Sequence, residues 1–210
     1  MLRSTALRTL IHGIFVLISF VVLPMSVAAS IDQSPQRLVE ETAEKMLTTL
    51  KAEKEAVKKD SGRLYALVDE IVLPHFDFEL MAKRVLGKYW RDASAEERAR
   101  FTDAFRGLLV RTYANSLTEY TDQTINYLPM RRESGNQRVE VRSEVEQAGR
   151  HPIQINYRLV QTGSEWKVYD VTINNVSLVT NYRSSFANEI DRGGLGALIS
   201  KIDSKNKGTP

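Results

Sequence analysis

The chain has no cysteine, only two tryptophans, and three histidines in 210 residues. Without thiols there are no disulfides, thiolate metal sites or cysteine nucleophiles, and no lipid-anchoring cysteine follows the leader. Beyond the leader only His75 and His151 remain, each beside a proline and neither in a metal-ligand spacing such as HExxH. No GxSxG, Walker or GxGxxG pattern occurs. Long hydrophobic runs are scarce too. The longest, Ile14 to Leu23, is too short to span a bilayer.

What surrounds that run reads as an export signal over residues 1–29. Arg3 and Arg8 form a positive start, and Val27-Ala28-Ala29 a small-residue cleavage site. An exported chain is expected, with one α+β domain over 30–204 and a disordered tail over 205–210. The formal charge of +3 falls close to neutral once Arg3 and Arg8 are removed. That balance lacks the basic excess of a nucleic-acid binder.

Helical signals fill the first half. Ser34-Pro35 opens a helix with Leu38, Thr42, Met46 and Leu50 on one face, followed by a solvated run of Glu and Lys to Lys59. A second helix follows Ser61-Gly62 and stops at Pro74. Asp77 is placed to cap a third, which Gly87 ends. Ser94 with Glu97 is a capping-box signature for a long helix reaching Tyr120.

After Tyr120 the period changes to two. Val139, Val141 and Val145 alternate with charged residues, and Ile153, Ile155, Tyr157 and Leu159 alternate with polar ones. Gly163-Ser164 turns into a strand from Trp166 to Val176 whose alternation slips near Tyr169-Asp170, as a bulge would require. A strand near Thr124–Leu128 should end early at Pro129. Two helical pieces, Ser177 to Ile190 and Leu195 to Ile202, flank a Gly193-Gly194 break, with fraying expected from Lys205. Helices, then an antiparallel meander, then helices predict an α+β domain with a helical layer on a curved antiparallel sheet.

Three apolar walls face one another in this arrangement. Phe76, Met81, Val85 and Leu86 form one, and Phe105, Leu108, Leu109, Tyr113 and Tyr120 a second. The strands supply the third through Val141, Ile155, Tyr157, Val168, Val171, Ile173 and Val176. Periodicity alone does not separate a filled core from a hollow one. Asp170 is the polar exception, readable with Tyr157 as an acid or base in a cavity, or as a carboxylate that bonds backbone at the bulge or pairs with an arginine.

The stretch PHFDFELMAKRVLGKYWRDASAEERARFTDAFRGLLVRTYANSL resembles the signature of the MlaC, or toluene-tolerance, family. WKVYDVTINNVSLVTNYRSSFANEI followed by GGLGALISKI is similar to its second signature. One departure is Asn175, where the family usually has glycine; asparagine tolerates the left-handed conformation. The resemblance implies an NTF2-like cone with additional helices and an apolar cavity, and no catalytic residue, cofactor or metal. It implies a soluble periplasmic carrier, a monomer, that takes glycerophospholipid as cargo. The implied partners are an inner-membrane ABC transporter with an MCE-domain ring and an outer-membrane lipoprotein–porin complex. Lys83, Arg84, Lys88 and Arg91 are the candidate docking rim. The rival readings are an NTF2-like small-molecule enzyme and a protein-interaction module.

Overall fold

The computed structural model describes residues 34–118, 123–132, 137–147 and 149–208. The expected leader, its cleavage site, Tyr120 and the last two residues lie outside them. The first half is helical: α1 (Pro35–Ala52), α2 (Lys54–Lys59), α3 (Ser61–Ile71), a 3-10 turn at Leu73–His75, α4 (Phe78–Leu86), α5 (Tyr89–Asp92) and α6 (Ala95–Leu117). Then come β1 (Ile125–Arg132), β2 (Arg138–Gln147), β3 (Arg150–Thr162), β4 (Glu165–Ile173) and β5 (Val176–Ser177), followed by α7 (Leu178–Gly208). The strands form one five-stranded antiparallel meander in the order β1-β2-β3-β4-β5.

The helix ends follow local chemistry. The Asp77 carboxylate accepts from the Leu80 N–H at 2.8 Å and starts α4. Gly87, at φ 55°, ends it in a conformation that disfavours other residues. Ser94 and Glu97 make both bonds of the capping box. At α3 the cap is Asp60, accepting from Gly62 N–H at 2.8 Å, so Ser61 is already helical. Ser34 stands at the α1 N-cap without a side-chain bond, and Pro35 sets the first turn.

Pro129 does not end β1, which runs on to Arg132. β1 pairs with β2 alone, so a missing N–H on its outer side breaks no ladder bond, and the register shift between Leu128 and Arg131 absorbs the distortion. The tail expected to fray from Lys205 is helical to Gly208. Ile202 is buried there, and the Asn206 amide donates to the Ala104 carbonyl at 2.9 Å, tying the last turns to α6. The break expected at the glycine pair is a single non-helical residue, Gly194, at φ 79° and ψ 168°.

Two apolar clusters hold the helices. The larger joins Leu38 and Val39 of α1 to Met81, Val85 and Leu86, to Phe101 and Phe105 of α6, to Val141 and Leu159 of the sheet, and to Phe186 and Ile199 of α7. Phe101 stacks on Phe105 and both meet Phe186 edge-on. The second cluster is helical only: Met46 and Leu50 of α1, Leu64, Leu67, Val68 and Ile71 of α3, and Ala114 of α6. α1 thus spans both.

The bulge lies where the alternation slips. Arg158 pairs with Asp170 and Leu159 with Val168, leaving Tyr169 unopposed. Asp170 is buried, and its carboxylate accepts from the Ser177 hydroxyl at 2.7 Å and from the Val179 N–H at 3.1 Å, with Arg158 at 3.7 Å. Of its two sequence-level readings, the structure shows the ion-paired one: Asp170 fastens the start of α7 to the sheet. Asp170→Ala strands the buried Val179 N–H and should cost about 2 kcal/mol. Exposed Glu165→Ala should stay within about 0.5 kcal/mol of the parent, both read by urea denaturation.

Candidate binding site

Register decides which side chains share the helix-facing surface of the sheet. One row across it is Tyr127, Ser143, Ile155 and Ile173; the next is Val141, Tyr157 and Val171; a third is Ile125, Val145 and Ile153. The rows are not equally covered. Val139, Val141, Leu159 and Val168, toward α4 and α6, are buried. Ile125, Tyr127, Ile153, Ile155, Tyr157 and Ile173, toward the β2–β3 turn, are half-buried. The apolar surface therefore continues past the end of its close packing.

Above that incompletely covered end runs α1. Between it and β1 opens a cleft of about 380 Å³, lined by Glu40, Ala43, Glu44, Leu47, Thr48 and Lys51 on the helix and by Gln123, Ile125 and Tyr127 on the sheet. Its floor is apolar and its lip charged. A second recess, of about 250 Å³, lies between α6 and the end of α7, where Leu108 is joined by Arg111, Thr112, Lys205 and Asn206.

Hydroxyls interrupt the apolar floor. Ser143, buried in its row, donates to the Ile155 carbonyl at 2.8 Å. The single proton of the Ser143 hydroxyl is thereby used. Tyr157, in the neighbouring row of the sheet, is half-buried. Burial pushes its pKa up to about 12, opposed in part by Ser143. Burial also lifts Tyr113 to about 12, with Tyr182 adding to the effect. Tyr127 is raised by burial first, then by Tyr157, Glu40 and Glu44. All three are neutral phenols at physiological pH.

The expected walls are distributed unevenly over this geometry. Met81, Val85, Leu86, Phe105, Leu108, Leu109, Val141, Val168 and Val171 are buried in the larger cluster. Phe76, Tyr113, Ile155, Tyr157 and Ile173 are half-buried beside it. Val176 departs from its expected wall: it is 54% exposed, because β5 is the outermost strand and lies beyond the helical cover. The left-handed Asn174 and Asn175, at φ 46° and 67°, make the turn that carries it there.

The four expected rim cations lie around the end of α4 and α5, and none lines the cleft. Lys83, Lys88 and Arg91 are exposed. Arg84 is half-buried, with its guanidinium carbon 4.4 Å from the centre of the Tyr169 ring, and so packs against the sheet. The cleft residues Ala43, Leu47, Ile125 and Tyr127 escaped sequence reasoning. Their signal is a second stripe on α1, Val39-Ala43-Leu47 at i, i+4, i+8, and the alternation of Ile125 with Tyr127 ahead of Pro129.

Comparison with known proteins places this geometry. The family model described as MlaC protein matches residues 40–204. The intermembrane phospholipid transport system binding protein MlaC of Haemophilus influenzae is 30% identical over 191 residues, 90% of this chain and 88% of that protein. The toluene tolerance protein ttg2D of Pseudomonas putida is 32% identical over 184 residues, covering 87% of this chain and 83% of the other. Among solved structures, a phospholipid-binding protein from Ralstonia solanacearum in complex with a phospholipid aligns with TM-score 0.75 and 32% identity, over 82% of this chain and 96% of that one. On sequence and fold together, the chain belongs to the MlaC protein family.

Proposed function

We propose that this protein is a periplasmic carrier that holds a glycerophospholipid and shuttles it between the outer- and inner-membrane complexes of an Mla-type transport system. The observation that carries the reading is the half-covered apolar floor beneath α1, in a fold shared with a phospholipid-binding protein. Among the described residues no helix is long and apolar enough to cross a membrane. Asp170, the residue that favoured an enzyme, spends its carboxylate on the start of α7, so the carrier reading stands over the catalytic one.

The energetics suit a carrier. Burying each methylene is worth ~0.8 kcal/mol, so a long acyl chain contributes on the order of 10 kcal/mol before ordering costs. That term is indifferent to headgroup chemistry, and broad tolerance among phospholipids follows. The cleft of about 380 Å³ is near the small end of the ~300–1,000 Å³ typical of ligand sites. Two long chains therefore require α1 and the sheet to part further. Release requires partner-induced opening or a tighter acceptor, because nothing is hydrolysed to return the free energy.

Organic extracts of gently purified protein should contain phospholipid, and native mass spectra should show the bound mass. Protein that is lipid-free and takes up none from liposomes would sink the assignment. Ala43→Trp fills the cleft from a half-exposed helix position. It should lower lipid loading about tenfold, equivalent to ~1.4 kcal/mol, with an unchanged melting temperature. Partner docking through the exposed cations makes a different prediction. Lys83→Glu with Arg91→Glu should leave loading intact and slow transfer to membrane partners, most clearly at low salt. Transfer rates equal to the parent at all ionic strengths would remove these residues from the docking surface.

A further inference from the structure

The Tyr127 hydroxyl, on the sheet side of the cleft, has no acceptor among the described residues. Ser143, beside it in the same sheet row, donates to the Ile155 carbonyl, whereas the Tyr127 hydroxyl makes no hydrogen bond to any described residue. Tyr127 lines the cleft, in the same sheet row as Ser143 and Ile155. A phenol at that position is a donor awaiting an oxygen.

The surroundings restrict what that oxygen can be. Glu40 and Glu44, one helical turn apart on α1, line the same cleft and raise the cost of ionising Tyr127, so their charges reach the hydroxyl. A phosphate or free carboxylate oxygen would meet like charge there. A neutral carbonyl would not. Tyr127 also marks a boundary: Ile125 and Ile155 extend the apolar floor on one side, and Glu40, Glu44 and Lys51 form the polar lip on the other. In a glycerolipid the neutral carbonyl at the boundary between chain and headgroup is the ester.

Resting on the carrier reading above, we propose that the Tyr127 hydroxyl holds an ester carbonyl of the bound lipid and thereby sets how deeply the acyl chains enter. The protein then distinguishes the linkage between chain and glycerol while remaining tolerant of headgroup. An ether oxygen, set back in the chain and a poorer acceptor, leaves the donor unsatisfied.

The test is competitive loading of the mature protein from vesicles containing equal amounts of diacyl and dialkyl-ether phosphatidylcholine with identical chains, read by mass spectrometry of the extract. Wild type should retain the ester lipid by about fivefold, the worth of one net hydrogen bond. Tyr127→Phe should melt at the same temperature, retain about fivefold less ester lipid than wild type and show no preference between the two lipids. Equal retention of both lipids by wild type, or an undiminished preference in Tyr127→Phe, would overturn the role of Tyr127 and leave the carrier reading standing. Uptake of neither lipid by wild type would overturn both.

Discussion

The extent of helical cover over the sheet is the constraint on which the rest of this structure depends. The inner face of β1 to β4 is largely apolar, yet the residues nearest α4 and α6 are closed over, whereas toward the β2–β3 turn Ile125, Tyr127, Ile153 and Ile155 are only half-covered beside the buried Ser143 and Val145. Closed rows stabilise the fold through burial at roughly 25 cal/mol per Å². The half-covered rows forgo part of that gain. An apolar surface left in this state is stabilised by whatever apolar matter completes its cover.

The two clusters show how the fold bears that cost. Leu38 and Val39 tie one end of α1 to the main core, and Met46 and Leu50 tie the other to α3. The span between them, with Ala43 and Leu47, is the roof of the cleft. A helix fixed at both ends and loosely packed in the middle roofs the hollow without requiring loss of either core. A hydroxyl reinforces the arrangement from below. The buried Ser143 hydroxyl donates to the Ile155 carbonyl within an otherwise apolar row, and a polar group held in this way resists collapse of the floor into a tightly packed interior, since breaking the bond would strand a buried donor.

Much of this was legible in residue order. Asp77, Gly87, Ser94 with Glu97, and the slip at Tyr169-Asp170 each mark an event set by local backbone chemistry, and the structure places each event there. What was not legible depended on partners distant in sequence. Pro129 reads as a strand end until β1 is known to be an edge. The last turns of α7 read as a tail until Asn206 is seen to meet α6. Arg84 reads as a surface charge until the bulge turns Tyr169 beneath it. Val176 carries the right residue type for the inner face, but the helices end before its strand. Amphipathic periodicity reports which face is apolar and is silent on how much of that face the opposing layer reaches.

That silence has a consequence for the site itself. The residues most conspicuous in the sequence, such as Met81, Phe105 and Leu108, are those that the helices cover best, and they are packed as a core. Residues that border the hollow are less regular: Ala43 is small, and Tyr127 lies beside a proline-bearing bulge. A filled core rewards uniform apolar repetition. A chamber that must stay open, accept a guest and release it instead needs small side chains for room and polar groups for position, and these interrupt the pattern by which a core is recognised. The irregular positions, rather than the strongest stripe, therefore border the hollow of this fold.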